Sequence, residues 1–240
     1  MTTRLGGSTL GRLVAGALGL LLLVPAAVAL AQPAEWPLTV ATIAGTVELS
    51  RKRAPWARAA LRDTVGATDS ARTLLQSRVT LRTANGHALR LAPLSQVVLA
   101  PEGDGAAAPG RPAAVPGGPV KVRLDAGWLW VAVLPLPGAT PFQIDVGPAT
   151  VVIRGSGVGI RREGDGGALV RVYHGSALVS GTAAGARWER PLAALQELVV
   201  PGAAPPGPAR PLTREPFEEP WIRWNEEQDF SAYAGPPVAK

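Results

Sequence analysis

Residues 79–95 have the sequence VTLRTANGHALRLAPLS, and they contain the pattern that decides the fold. Apolar and polar residues alternate in the two flanking runs, 79–83 and 88–91, as they do in strands that bury one face of a sheet. Asn85-Gly86 lies between the runs, and this dipeptide supplies the positive φ angles that a tight hairpin turn requires. The stretch therefore predicts two antiparallel strands joined by a hairpin.

Short β-prone runs of the same kind continue on both sides of this hairpin, from residue 37 to residue 201. They recur roughly every 8–12 residues and are separated by Gly, Pro, Asn and Asp, which is typical of all-β folds rather than of alternating strands and helices. The sequence therefore predicts an all-β domain over residues 32–200, either solenoid-like or a two-layer β-sandwich. Only residues 58–62 and the last segment have patterns that allow a helix.

An apolar run at residues 13–31 follows two arginines near the N-terminus and ends in an Ala-x-Ala pattern at residues 29–31. These are the features of a signal peptide, so we predict one over residues 1–31 with cleavage before Gln32. The alternative is an uncleaved anchor, because the run approaches the ~20 residues that span a bilayer. In either case the rest of the chain is expected outside the cytoplasm, in the periplasm or secreted.

The chain has no cysteine among its 240 residues. This excludes a disulfide framework, a thiolate metal site, a cysteine nucleophile and a lipid attached at the signal peptide. The formal net charge is +6, which is modest. The arginines are scattered among acidic and apolar residues, and we identify no basic face with interleaved aromatic residues, so the sequence predicts no nucleic-acid partner.

Two stretches rich in Pro, Gly and Ala lack any periodicity and are predicted to be connectors. The first, residues 101–119, is predicted to be a disordered insertion between strands, and the second, residues 201–220, a linker. The linker leads to a tail at residues 221–240, in which Trp221 and Trp224 would share one face of a helix. We expect both indoles to pack on the β domain; the alternative is that they anchor a partner protein.

Residues suited to catalysis are scarce. The chain has two histidines, His87 in the predicted turn and His174 at a strand end, and neither lies in a motif of a catalytic triad. Gly155, Gly157 and Gly159 do not have the spacing of a dinucleotide-binding loop, and are expected to let neighbouring strands pass closely. Two Glu-Gly-Asp-Gly strings offer too few oxygens for calcium and are predicted turns. The sequence therefore predicts no enzyme, cofactor or metal site.

A series of short motifs occurs in a fixed order along the predicted β domain. They are the segments 45–47, Trp56, 69–73, 77–81, 85–86 and 89–95, followed by Gly127-Trp128-Leu129-Trp130, the segment 148–156 with Arg154-Gly155-Ser156, and the segment 172–179. In order and spacing they resemble the FecR domain, whose family is named for the iron-dicitrate transport regulator. The resemblance covers about residues 38–202.

This resemblance implies an exported β domain that senses, binds or serves as a scaffold. The regulator that names the family has a cytoplasmic anti-sigma segment before a membrane helix. Only about a dozen residues precede the apolar run here, too few for a folded domain, so we expect no sigma-factor role.

Four residues of the motifs are candidate site residues: Arg154, Gly155, Ser156 and Asp69. Arg154 directly follows an apolar strand, and its guanidinium has the planar shape that pairs with carbonyl groups or with a carboxylate such as Asp69. We expect a structural tie at the end of a buried strand; the alternative is contact with an anionic ligand.

Four tryptophans are candidate contacts to a partner or to carbohydrate: Trp128, Trp130, Trp221 and Trp224. Trp128 and Trp130 are two residues apart on a predicted strand, so their side chains share a face. We expect them to be partly buried anchors. An exposed pair of this kind would instead stack on sugar rings.

Together these features predict an exported, non-catalytic protein of the bacterial cell envelope, with a FecR-like domain that is a binding or regulatory scaffold. The expected partner is another envelope protein. The alternative is a module that binds the cell wall or a polysaccharide. A membrane partner is expected only if the apolar segment 13–31 is not removed.

Overall fold

The computed structural model describes residues 37–100, 120–134, 142–154 and 156–233. The described residues form a two-layer β-sandwich with two short helices after the last strands. The all-β prediction is confirmed. The predicted signal peptide and the predicted insertion 101–119 lie outside the described residues, and the predicted boundaries at residues 200 and 220 stay predictions.

The elements are named in chain order. They are β1 Leu38–Ala44, β2 Val47–Ser50, β3 Ala57–Arg58, β4 Thr64–Val65, β5 Ser70–Thr73, β6 Arg78–Arg82, β7 Ala88–Leu91, β8 Gln96–Ala100, β9 Val120–Ala126, β10 Trp128–Val133, β11 Phe142–Val146, β12 Ala149–Arg154, β13 Ser156–Arg162, β14 Ala168–Val172, β15 Ser176–Ala183, β16 Ala186–Ala193, β17 Gln196–Val200, β18 Arg210–Pro211, α1 Glu215–Glu218 and α2 Pro220–Tyr233.

Within the described ranges, each layer is a nine-stranded sheet. The first sheet has the order β18-β17-β14-β13-β10-β7-β6-β1-β4, and the second has the order β16-β15-β12-β11-β9-β8-β5-β2-β3. Apart from β1 to β4 at one edge, strand numbers rise steadily across both sheets, so the chain advances along the sandwich while crossing between its layers. The structure therefore combines the two predicted architectures: the strands advance along one direction as in a solenoid, and they form the two packed sheets of a sandwich.

The hairpin at residues 79–95 is confirmed. β6 and β7 pair antiparallel with Val79 opposite Leu91 and Leu81 opposite Leu89, and all four side chains are buried in the core between the sheets. Gly86 has a φ of +87° in the connecting turn. The alternation in the sequence therefore identified the inward face correctly, because successive side chains of a strand point to opposite faces.

Two corners of the sandwich use the same device. The Ser77 hydroxyl accepts a hydrogen bond from the Thr46 amide at 2.8 Å, and the Ser95 hydroxyl accepts one from the Trp128 amide at 2.9 Å. In each case the residue before that amide is a glycine with positive φ, Gly45 in one corner and Gly127 in the other. A Cβ on either glycine would collide with the serine, which accounts for glycine at both positions.

Candidate functional site

The two outer faces of the sandwich differ, and the first sheet's outer face is covered by α2. Ile222 of this helix has no exposed surface and packs with Trp130 and Tyr173 of the first sheet. Phe217 and Trp221 pack against the same cluster from the side. The expectation that the tail packs on the β domain is therefore confirmed.

A buried polar network fixes the position of α2 on the sheet. Arg90 of β7 is only 2% exposed, and its Nη1 atom donates to Asp229 Oδ1 at 2.6 Å and to Asn225 Oδ1 at 3.3 Å. The other oxygen of Asp229 accepts a hydrogen bond from Trp130 Nε1 at 2.8 Å. Because a buried charge without its partner is very unfavourable, this network ties the docking of α2 to the core.

Aromatic rings surround the network. The indoles of Trp221 and Trp224 stack with their centroids 5.3 Å apart, and the guanidinium of Arg78 lies 4.5 Å from the Trp224 ring centroid. On the sheet, the Trp130 and Tyr173 ring centroids are 4.9 Å apart. Burial raises the pKa of the Tyr173 phenol far above its ordinary value. The tail is thus held by ring contacts as well as by the ion pair.

The glycines of β13 make room for these rings. A Cβ on Gly157 would lie 2.6 Å from Trp130 Cζ2, and one on Gly159 would lie 3.4 Å from both Trp128 Nε1 and Tyr173 Cε2. We expected the glycines to allow close passage of strands; the structure corrects this, because the groups that approach them are aromatic side chains. The indole of Trp130 lies across the bare backbone of the neighbouring strand.

Arg154 does not have the expected structural role. It ends β12, where it is exposed on the outer face of the second sheet, opposite Ser176. The expectation of a tie at the end of a buried strand is therefore wrong. The strand places Val151 and Ile153 inward, and the alternation then directs Arg154 to solvent. Gly155 lies outside the described residues.

Ser156, the next residue of the motif, is the first residue of β13. Its backbone pairs with Val133 of β10 in the first sheet. The chain therefore crosses from the second sheet to the first between Arg154 and Ser156.

Asp69 is buried, and its carboxylate accepts hydrogen bonds from two backbone amides and not from the Arg154 side chain. Its Oδ1 atom accepts a hydrogen bond from the Lys52 amide at 2.9 Å, and its Oδ2 atom accepts one from the Gly66 amide at 2.9 Å. The expected pairing of Asp69 with Arg154 is not what the structure shows. Asp69 instead joins the loop after β2 to the turn before β5.

The tryptophan predictions have mixed outcomes. Trp130 is completely buried and Trp128 is half-buried, so the pair does not form the exposed platform that sugar stacking would need. The anchor role that we expected for them agrees with this placement. Trp221 and Trp224 are half-buried on α2.

The outer face of the second sheet has no such cover among the described residues, since both described helices lie with the first sheet. Strand register places one row of outward residues side by side across five strands, in the order Lys121, Gln143, Val152, Leu178 and Pro191. Leu178 is 38% exposed. The row therefore combines apolar side chains at one end with polar and basic side chains at the other.

The structure also corrects the expectation that the chain has no basic face. Residues 51–62, which connect β2 towards β4, contain five basic residues and no acidic residue. All five are exposed, and the half-buried Trp56 lies among them. We call residues 51–62 the basic edge, because the segment includes β3, the last strand of the second sheet.

Two kinds of feature are absent from the described residues. No group of three or more His, Asp or Glu side chains is arranged to hold a metal ion. In the same part of the chain, no helix is both long enough and apolar enough to cross a membrane.

Comparison with known families agrees with the motif analysis. The model of the FecR protein family matches residues 69–178, from the residue before β5 to the middle of β15. The chain carries a FecR domain. The resemblance drawn from the motifs is therefore confirmed, and FecR is a family of regulatory, non-enzymatic proteins. The sandwich extends beyond the matched FecR residues on both sides, by β1–β4 before them and by β16–α2 after them.

Solved structures add little to this identification. Two crystal structures of a candidate anti-sigma factor from Parabacteroides distasonis match with 13% sequence identity and a TM-score of 0.45. Each match covers 61% of this chain and 61% of that protein, so this chain spans about three-fifths of its length. No curated protein matches the sequence. Likeness at this level carries no argument about function.

Proposed function

We propose that this protein is an exported, non-catalytic regulatory module of the cell envelope, which binds another envelope protein through the outer face of the second sheet. The observation that carries the proposal is the asymmetry of the sandwich. One outer face is covered by the chain's own helix, whereas the other presents its outward row to solvent among the described residues. The FecR family is regulatory, which supports a binding role.

The outward row has the composition of a protein-binding surface. Val152, Leu178 and Pro191 are neighbours across three strands, so they form a short apolar stripe. Two strands from the stripe, on β9, Arg123 pairs with Asp125 at 2.7 Å, and the pair is partly exposed. An apolar centre with a polar, charged surround is the usual anatomy of a protein–protein interface.

Export is supported by the sequence alone. The apolar run at residues 13–31 and its Ala-x-Ala end are the features of a signal peptide. N-terminal sequencing of the protein from the periplasm or the medium tests this part, and a sequence starting at Gln32 is the expected result. Recovery of the uncleaved chain in membranes would contradict cleavage and favour an anchor, whereas recovery from the cytoplasm would contradict export.

The binding surface is tested by site-specific cross-linking. A photo-reactive residue is placed at Leu178 and, as a matched control, at Leu195, which is an exposed leucine in the turn between β16 and β17. We expect a discrete adduct with one envelope protein from position 178 and none from position 195. The purified partner should then bind the wild-type protein but not the Leu178→Lys variant.

The same proteins distinguish the alternative. Insoluble peptidoglycan is incubated with the wild-type protein and with Leu178→Lys. Sedimentation of both with peptidoglycan, without any cross-linked envelope protein, would favour a wall-binding module and contradict the proposal.

A further inference from the structure

We propose that the basic edge is a second binding surface, which docks the protein on a membrane surface rich in anionic lipid headgroups. The proposal concerns a part of the molecule separate from the open face of the second sheet. It is independent of the proposed function, since the protein needs no partner protein for this contact.

The charge of the basic edge is concentrated and largely unneutralised. Its sequence is RKRAPWARAALR, with five cationic side chains in twelve residues. Arg51 pairs with Asp63 at 3.3 Å. Lys52, Arg53, Arg58 and Arg62 are exposed and form no ion pair within the described part of the chain. These four side chains are therefore available to anionic groups outside the protein.

The backbone presents these side chains in a defined arrangement. Lys52 and Arg53 have φ angles of +49° and +64°, and Arg62 has a φ of +70°. Residues other than glycine rarely adopt this left-handed conformation. Two consecutive residues keep it only when their surroundings impose it. Asp69 helps to impose it, because its carboxylate accepts the Lys52 amide.

Further hydrogen bonds hold the rest of the segment. The Ala59 amide donates to the Val47 carbonyl at 2.8 Å, and the Arg62 amide donates to the Val40 carbonyl at 2.9 Å. These bonds tie the basic edge to β2 of one sheet and to β1 of the other. Its charges therefore project from a rigid rim of the sandwich and not from a free loop.

An apolar side chain in the basic edge favours a membrane over other polyanions. Leu61 is 61% exposed next to Arg62, and it has the position expected of a residue that inserts among headgroups. The Trp56 ring is already covered on one face by the Arg72 guanidinium, 4.3 Å from its centroid. Stable attachment to membranes usually combines basic residues with such an apolar contact.

The same charges have a simpler explanation, which the experiment must exclude. Exposed charges on the last strand of a sheet prevent pairing with another sheet. In that case charges at either edge of the sandwich would contribute equally to any binding to lipids. The opposite edge offers the comparison, because Arg187 of β16 and Arg210 of β18 are also exposed.

The test measures sedimentation with lipid vesicles. The chain from Gln32 to Lys240 is used, because it retains every described residue and lacks the apolar segment 13–31. The Lys52→Gln/Arg53→Gln variant is compared with Arg187→Gln/Arg210→Gln, which loses the same charge. Vesicles contain phosphatidylglycerol with phosphatidylcholine, or phosphatidylcholine alone. Melting temperatures confirm that both variants are folded.

We expect binding to the anionic vesicles only. Loss of about five-fold in affinity per removed charge predicts a drop of about 25-fold for Lys52→Gln/Arg53→Gln. The variant at the opposite edge should bind as the wild type does. Leu61→Ser should also weaken binding, while added salt weakens it for every variant that still binds.

Three outcomes would overturn the proposal. Equal losses in the two double variants would show that only net charge matters. Release of the protein by soluble glycerol phosphate, at the phosphate concentration of the vesicles, would show a site for free phosphate. Binding to a DNA duplex through the same residues, without binding to vesicles, would identify a nucleic-acid surface.

Discussion

Arg90 and Arg154 both stand on outward-facing positions of sheet strands, one on each layer of the sandwich. Arg90 is 2% exposed, because α2 covers it, and its charge is neutralised there by Asp229. Arg154 lies on the face that no described helix covers, and it is exposed. The position of a residue in the strand alternation therefore determines only which side of the sheet it faces. Whether that side meets water depends on a segment far away in the sequence.

The composition of the two faces matches this difference. Beneath α2, the outer face of the first sheet consists of aromatic side chains and of glycines, with the Trp130 indole lying over Gly157. The second sheet presents a row that includes Lys121 and Gln143, which are half-buried on the side that no described helix covers. Four changes test the difference between the faces, and they follow in decreasing order of the effect that we expect.

The largest effect is expected for Asp229→Ala. This change removes the carboxylate that neutralises Arg90 and accepts a hydrogen bond from Trp130 Nε1, and the loss should be about 3–5 kcal/mol of unfolding free energy. Urea denaturation measures it. Asp145→Ala on the open face removes the hydrogen bonds that Thr150 and Gln143 donate to a half-buried carboxylate, and it should cost only about 1 kcal/mol.

A double variant separates the charge from the packing. Arg90→Met combined with Asp229→Leu removes both charges, and it should recover much of the stability lost in Asp229→Ala. A cost for Asp229→Ala no greater than that for Asp145→Ala would mean that α2 does not cover the first sheet in solution.

Gly157→Ala should have the second largest effect. Its Cβ would meet Trp130 Cζ2 at 2.6 Å, so the ring has to shift, at a cost of about 1–3 kcal/mol. Ser180→Ala in β15 adds no atom on the open face and serves as the control. Thermal denaturation compares the two, and equal melting temperatures would show that the indole does not lie on β13.

A pH dependence is expected at high pH from Tyr173. Burial raises its pKa, so the phenol stays protonated in the folded protein while it ionises in the unfolded chain. Stability from this residue is present below the ordinary pKa of about 10 and is lost as pH rises above it, by about 1 kcal/mol at pH 11. Tyr173→Phe should remove this component, and a wild-type and a variant curve of equal slope would contradict it.

The smallest effect is expected for Arg154→Ala. The side chain is exposed, so the change in unfolding free energy should be within about 0.5 kcal/mol. Chemical denaturation measures it beside Asp229→Ala. A loss of 2 kcal/mol or more, on the order expected for a buried tie, would restore the structural role that the sequence suggested.

The all-β class and the hairpin of β6 and β7 could be predicted because they depend on neighbouring residues. Val79, Leu81, Leu89 and Leu91 alternate with polar residues, and Asn85-Gly86 suits the turn. The FecR resemblance was equally accessible, since it consists of short motifs in order. Each strand, turn and motif is complete within a few residues of sequence, and the order of the motifs can be read without knowing which of them meet in space.

The roles of the site residues could not be predicted in this way, because they arise from contacts between segments that are far apart in the sequence. Arg90 and Asp229 are 139 residues apart, and nothing near either one indicates the other. A signal was present in the tail, where Ile222, Asn225 and Asp229 have the spacing of one helix face, but that spacing does not name the strand beneath. The expected pairing of Arg154 with Asp69 failed for the same reason.

By itself, the sequence determined the strand alternation and the turns, because these follow from the local stereochemistry of the chain, and it also showed the FecR motifs in their order. Only the tertiary structure decided which outer face is covered, where Asp69 directs its carboxylate and that the basic residues of 51–62 form one rim. Those features depend on which distant segments meet, and burial changes the energetics of a charge such as Arg90 only after they have met.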